Sequence, residues 1–258
     1  MLKKLYKRTF PLRFRIEVRQ RIVSLRQWQY RGAAVECLCC GRQFSAFAPF
    51  GIHRRKAAAC PNCDAMERHR FLWYWLTRHT DLTTTPAALL HFAPEFVLER
   101  KFRALPQLDY VTADIAPEWC DITADICDLP IADERFDWII CAHVLGYIDD
   151  EHAALAELKR VLKRGGKALI LERIDSRCAS SVSIAHLTPE EKAAQYGVDP
   201  YVMQLRGRDY AQELATAGFE VTTVRPLDVV SEDAAQRYGF VSSEPHYEGE
   251  TIYVCTRK

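Results

Sequence analysis

DICDLPIADERFDWIICAHVLGYIDD (residues 125–150) and LKRVLKRGGKALILE (residues 158–172) decide the fold. At the centre of the first stretch lies FDWIICA, residues 136–142. It is apolar on both faces, as a strand inside a parallel sheet must be. Residues 150–163 follow with the spacing of an amphipathic helix, and Arg164, Gly165 and Gly166 read as its stop. Residues 167–172 are apolar again and read as the next strand.

The same alternation extends in both directions. Upstream, residues 87–92 read as a short strand, 94–105 as a helix, 108–113 as a strand ending at Asp114, and 122–126 as a short extended piece. Downstream, residues 209–217 read as a helix closed by Gly218, and 219–225 and 251–256 as late strands. Strands alternating with helices of this length predict an α/β chain with a doubly wound, mostly parallel, Rossmann-like sheet. The boundaries expected are a basic arm over residues 1–31, a small module with its following helix over 32–80, and the α/β domain over 81–258 with an insertion at 176–208.

Composition excludes several classes. Of 258 residues, 48% are hydrophobic and 27% charged, which argues against wholesale disorder. No apolar run reaches the roughly 18 residues of a membrane-spanning helix, and the start does not read as a secretory signal. A cytoplasmic protein is therefore expected. The net charge of +1 hides an asymmetry, because residues 1–31 carry ten Lys or Arg against the single acid Glu17. From Phe14 to Tyr30 the apolar spacing fits an amphipathic helix, with Pro11 as its boundary. Such an arm either meets anionic lipid or RNA phosphates, making the protein peripheral to a membrane in the first case, or packs its apolar stripe on the body.

Four of ten cysteines fall in two pairs, Cys37-x2-Cys40 and Cys60-x2-Cys63. Two such turns can aim four thiolates at one ion, the spacing of a tetrahedral zinc site. Gly41 and Pro61 favour the tight turns this needs. Four thiolates leave no open coordination position, so the Zn2+ is expected to be structural, replacing a core that so small a module cannot build. Cys39 cannot easily face the same ion as its neighbour Cys40, and Cys120, Cys127, Cys141, Cys178 and Cys255 read as small core residues. After Cys63, residues 66–79 (MERHRFLWYWLTRH) read as a helix whose Arg68, His69 and Arg70 either contact an anionic ligand or form a solvated first turn.

In a doubly wound sheet the ligand sits outside the carboxyl ends of the strands, at the point where strand order reverses. Those ends offer His91, Phe92, Ala93, Pro94 and Glu95, then Asp114 and Ile115, then Asp125 and Ile126, then His143. A carboxylate such as Asp114 can accept from both hydroxyls of a ribose. Asp125 can accept from an exocyclic amine while an apolar neighbour packs on the ring.

Over about residues 87–175 and 207–257 this order of segments resembles a class I S-adenosylmethionine-dependent methyltransferase of the small-molecule type, best in the stretches quoted first. With the CxxC…CPNC module and RHR, it also resembles bacterial zinc-knuckle methyltransferases. The resemblance implies S-adenosylmethionine as cofactor, with Asp114 (and Ile115 beside it) on the ribose, Asp125 and Ile126 on the adenine, and residues 91–95 around the methionine moiety. One departure stands out. The family's first loop carries an acid and then glycines, whereas LLHFAPE has no glycine. His91 stands in the acid's place, and Glu95, one turn later, is its candidate substitute.

Methyl transfer asks the protein mainly for positioning and exclusion of water. His143 is the candidate base, or else a capping histidine; Tyr147, Asp149 and Glu172 can line the same mouth. Residues 176–208, with His186, Tyr196, Tyr201, Met203 and Arg206, form either a lid over the acceptor or a surface insertion. The expected acceptor is a small molecule or a sugar- or lipid-linked metabolite. An RNA acceptor held by the module and arm is an alternative, disfavoured because the α/β domain is acidic and lacks an Asn/Asp-Pro-Pro-Tyr/Phe motif. A non-catalytic binding protein is the third reading.

Overall fold

The computed structural model describes residues 12–50, 55–116, 120–243 and 246–258, apart from the side chains of Leu12, Arg13, Ile16 and Gln20. The bases expected at positions 3–8 and the boundary at Pro11 lie outside the described residues. A helix over Leu12–Leu25 runs into a 3-10 turn, Arg26–Tyr30. Val23 is buried, but Ile22, Leu25 and Trp28 are all more than half exposed, so the apolar stripe is only partly covered. Arg19 anchors the helix to the module through Asp64 at 2.6 Å.

Two small hairpins follow. The first pairs β1 (Val35–Cys37) with β2 (Arg42–Phe44), and the second pairs β3 (Ala48–Phe50) with β4 (Arg55–Ala59), both antiparallel. The expected helix is found over Glu67–His79. Its Phe71, Leu72 and Leu76 are fully buried, each contributing about 1.5–3 kcal/mol.

The α/β part then runs β5 (Ala87–Phe92), a helix over Phe96–Arg103, β6 (Leu108–Asp114), β7 (Ile122–Thr123), β8 (Phe136–Ala142), a helix over Glu151–Val161 and β9 (Leu162–Leu171). Short strands β10 (Ile174–Asp175), β11 (Val182–Ser183) and β12 (Gln204–Leu205) punctuate the insertion, which also holds a helix over Pro189–Tyr196. A helix over Tyr210–Thr216, β13 (Phe219–Val224), short helices over Pro226–Val229 and Glu232–Tyr238, β14 (Tyr247–Glu248) and β15 (Ile252–Arg257) complete the chain. Seven strands form one sheet in the order β13-β15-β9-β8-β5-β6-β7. Only β15 runs against the common direction of the other six strands. Strand order reverses between β5 and β8, so the crevice expected of this topology lies beyond Phe92 and Ala142.

Two cores cover the two faces. One gathers Leu90, Ile139, Cys141, Leu158, Tyr210 and Cys255. The other joins Leu89, Trp138, Leu169 and Val254 of the sheet to Phe71 and Leu76 of the Glu67–His79 helix, and continues into Cys37, Phe44, Phe47 and Cys60 of the hairpins. The module therefore shares a core with the sheet.

Three expectations need correction. The helix after β8 stops at Val161, not at the glycines, and the chain passes directly into β9, where Leu162 already pairs with Phe136. Gly165 (φ +74°) and Gly166 form an irregularity inside that strand, and a Cβ on Gly166 would lie 2.7 Å from Leu162 Cδ2. A Gly-Gly pair gives the same signal for a helix stop and for a bulge. The 122–126 piece is extended only at Ile122–Thr123, because Asp125 turns the chain by accepting from the Cys127 N–H. Cys141 and Cys255 are core residues as expected, but Cys120, Cys127 and Cys178 are only half-buried.

Candidate functional site

The four paired cysteines converge. Their sulfurs all lie within 4.8 Å of one another, with Cys37 Sγ 3.6 Å from Cys63 Sγ and Cys40 Sγ 3.7 Å from Cys60 Sγ. A tetrahedral S4 shell with metal–sulfur bonds of about 2.3 Å has edges of about 3.8 Å, which these two separations match. The Asn62 and Cys63 N–H groups point at Cys60 Sγ (3.4 and 3.5 Å), which orients that thiolate. Cys39 is not one of the four, and its thiol donates to the His69 carbonyl at 3.5 Å.

The two central strands end in the same unusual backbone. Ala93, after β5, has φ +45°, and His143, after β8, has φ +55°. L-residues adopt this left-handed conformation at a cost of about 1 kcal/mol, and glycine adopts it freely. Ala93 thus takes the turn that the missing glycine would have made, braced by its N–H donating to the Ala113 carbonyl at 2.9 Å. His143 is braced by its N–H donating to the Leu171 carbonyl at 2.7 Å. Both central strands thus hold backbone strain where they end beside the crevice.

Behind Ala93 the loop is locked by a polar chain. His91 is fully buried; its Nδ1 lies 2.9 Å from the Tyr110 hydroxyl and its Nε2 3.1 Å from Glu95 Oε2. The other Glu95 oxygen lies 3.2 Å from His69 Nε2 and 3.8 Å from Arg68 Nε. Burial opposes ionisation of Glu95, but His69 and His91 outweigh it and hold the carboxyl well below its usual range. Burial in turn lowers the His69 pKa, against the pull of Glu95. His91 is therefore part of a clamp below the crevice, and Phe92 beside it is core.

Asp114 and Asp125 stand together at the next strand ends. The Ala124 N–H donates to the Asp114 carbonyl at 3.0 Å, which holds the two turns side by side. The Asp114 carboxylate accepts from the Ala116 N–H at 2.8 Å, and the Asp125 carboxylate from the Cys127 N–H at 2.9 Å. Each keeps acceptor capacity for a ligand. Ile115 is 75% exposed, a free apolar face, whereas Ile126 is 5% exposed and packs inward.

On the other side of His143 lies a cavity of about 300 Å³. It is a junction: the hairpins supply Phe50 and Arg55, the following helix turn Met66, Glu67 and Arg68, the α/β core His143, Tyr147 and Arg173, the insertion Gly197 and Asp199, and the C-terminal segment Ser242, Tyr247, Gly249 and Glu250. His143 Nε2 lies 3.4 Å from the Gly249 carbonyl. Burial, with Arg68 adding, pushes the His143 pKa down to about 3, so the ring is neutral. Burial, with the nearby Glu67 adding, pushes Glu250 up to about 7. Glu67 is likewise raised by burial, with Arg55 opposing. Glu172 sits outside this lining, under the Leu145–Tyr147 turn, and burial pushes it up to about 7 against the pull of Arg206.

Of the RHR triplet, only Arg68 reaches the cavity. Arg70 is neither ligand-facing nor solvated. It is fully buried, lies over Phe47 and donates to the carbonyls of Ala58, Ala65, Tyr238 and Gly239. From the insertion, Asp199 contributes to the cavity wall, whereas Tyr201 is 75% exposed and Arg206 is buried against Glu151 at 2.7 Å. Glu67, Arg55, Tyr247 and Glu250 were not singled out from the sequence; no motif joins residues so far apart along the chain. Among the described residues, no helix is long and apolar enough to cross a membrane.

Residues 103–170 match the family model described as a methyltransferase domain. A demethylmenaquinone methyltransferase of Deinococcus radiodurans is 29% identical over 139 residues, covering 45% of this chain and 57% of that one. An uncharacterised protein of Methanocaldococcus jannaschii is 46% identical over 43 residues, 17% of this chain and 21% of the other. The chain thus matches little more than half the length of the first curated relative and about a fifth of the second. Among solved structures, an S-adenosylmethionine-dependent methyltransferase from Mesorhizobium loti aligns with TM-score 0.49 at 14% identity, covering 73% of this chain and 98% of that one. The 1,6-didemethyltoxoflavin-N1-methyltransferase of Burkholderia thailandensis, solved with 1,6-didemethyltoxoflavin and S-adenosylhomocysteine, aligns with TM-score 0.48 at 15% identity, covering 74% and 78%. Residues 103–170 of this chain thus match a methyltransferase domain, set in a seven-stranded sheet and built against a four-cysteine module.

Proposed function

We propose that this protein transfers the methyl group of S-adenosylmethionine to a small molecule held in the junction cavity, with Zn2+ on Cys37, Cys40, Cys60 and Cys63 as a structural ion. The observation that carries this reading is the placement of His143 at the strand-order reversal. The paired turns of Asp114 and Asp125 lie at the neighbouring strand ends, and the junction cavity opens beside His143. The residues suit the cofactor: Asp114 for the ribose hydroxyls, Ile115 and Asp125 for the adenine, and the Ala93 turn for close backbone approach. Ile126 serves as support beneath, since its side chain is core.

The cofactor, when bound, supplies a methyl group already activated on a sulfonium. The chain's own residues bind, orient and keep water out. Glu95 holds the Ala93 loop through His91 and His69. His143, being neutral, sets no positive charge beside a cation. With Nε2 directed at the Gly249 carbonyl, its Nδ1 is left as a hydrogen-bond acceptor to orient the nucleophile. A pKa of about 3 makes His143 a weak base. Glu250, at about 7, is better matched to hold a released proton at neutral pH. Tyr147, 44% exposed at the rim, closes over the acceptor.

The test is calorimetric titration with S-adenosylhomocysteine. Wild type is expected to bind, and Asp114→Ala to bind about 10- to 100-fold more weakly, the loss of a charged hydrogen-bond pair. Absence of binding to wild type would remove the reading.

A further inference from the structure

We propose that the junction cavity takes an anion: the acceptor carries a carboxylate or phosphate that seats on Arg68, while its hydroxyl or amine faces Glu67 and Glu250. Calling the occupant the acceptor rests on the methyl-transfer reading; the anion site itself does not.

Two arginines two residues apart make the contrast. Arg70 has its donors committed to four backbone carbonyls. Arg68, in the first turn of the same helix, has not. Its Nε is buried with no hydrogen-bond partner among the described residues, and its Nη1 meets only the Met66 sulfur at 3.5 Å. The nearest carboxylate is Glu95, 3.8 Å away, whose oxygens already serve His69 and His91. A half-buried guanidinium whose buried Nε has nothing to donate to is costly unless a ligand completes it. A carboxylate or phosphate does so with two parallel hydrogen bonds. The position at the start of a 13-residue helix adds the positive end of its dipole.

The remaining charges on the wall are spoken for. Arg55 lies 3.4 Å from Glu67 and donates to the Ser242 hydroxyl at 3.1 Å. Asp199 accepts from the Tyr201 N–H at 2.9 Å within its own turn. Arg173 lies flat over the Tyr247 ring, 3.6 Å from its centroid, forming an amphipathic wall suited to a ring. The wall also holds the carboxyls of Glu67 and Glu250, both pushed above their usual range by burial. A cavity of about 300 Å³ suits a single ring with one acidic substituent.

The experiment uses the full zinc-loaded chain, with inorganic phosphate and acetate as probes and potassium chloride holding ionic strength constant. Saturable binding of at least one probe to wild type is expected, weakened at least 10-fold in Arg68→Gln and less in Arg68→Lys. The preferred probe tells a phosphate acceptor from a carboxylate one. Metal content of one zinc per chain checks that each variant is folded. Should Arg68→Gln lose zinc, Arg68→Lys decides, because loss of the planar fork alone must still weaken the anion. Equal affinity in wild type and variants, or no saturable binding of either probe, overturns the inference. Calorimetry with S-adenosylhomocysteine on the same samples separates the two readings. Cofactor binding without anion binding sinks this inference alone, and anion binding without cofactor binding sinks methyl transfer and leaves the anion site standing.

Discussion

Replacing Arg70 by Met removes a fully buried guanidinium while keeping most of its apolar stem over Phe47. Four carbonyls lose the arginine as a donor: Ala58 and Ala65 in the module, Tyr238 and Gly239 in the C-terminal segment, of which Ala65 keeps the Cys60 N–H at 2.9 Å. Leaving a buried acceptor unsatisfied costs about 1 kcal/mol or more each. Relief of the arginine's own desolvation returns part of this, so the net loss should be about 3–5 kcal/mol, as when one partner of a buried ionic group is removed. For a chain of this size that is a fall in Tm of about 6–20 °C. Arg70→Lys should recover only part, since one ammonium cannot reach carbonyls arranged around a fork. Thermal and urea unfolding followed by tryptophan fluorescence provide the readout. A Met variant within about 1 kcal/mol of wild type would refute the idea that this side chain staples the two ends of the chain together.

Metal analysis should find one zinc per chain, and Cys60→Ser should lower both zinc content and Tm; an unchanged Tm after full chelation would mean that the thiols form no structural site. Ala93→Gly relieves a left-handed alanine and should leave stability equal or higher by up to about 1 kcal/mol, whereas Ala93→Val should lower it by at least as much; the two urea midpoints falling together would argue against strain at that turn. Glu250 has a folded pKa of about 7, above its unfolded value, so its contribution is complete at low pH and is lost as pH rises through 7. Glu250→Gln should therefore gain stability relative to wild type at pH 8 and not at pH 4; an equal effect at both pH values would contradict the burial of an ionisable carboxyl there.

Much of the sheet is legible in the sequence because its signals are local. FDWIICA reads as an interior strand from its own composition, and the alternation around it fixes the layer order. The cysteine spacing is equally local, and the sulfurs do converge. The junction cavity is not legible, because Phe50, Arg68, Asp199 and Glu250 meet only after the sheet, the module and the insertion have all packed. Arg68 and Arg70 look alike in the sequence. Their fates differ because the helix turns one toward the cavity and the other toward carbonyls some 170 residues further along. The glycine-free loop misleads in the opposite direction: it suggests a closed crevice, yet Ala93 adopts the backbone a glycine would have chosen.

The Glu67–His79 helix has one further consequence. It begins beside the cysteine cluster, sends His69 to the clamp under the Ala93 loop and covers the sheet with Phe71, Leu72 and Leu76. A fragment starting at Asp81 would strip one side of the sheet bare and leave an apolar patch prone to association. The amino-terminal third of the gene is thus not an appendage to be traded between proteins at will. Recombination that exchanges it would have to bring along a matching helix, or the recipient would precipitate.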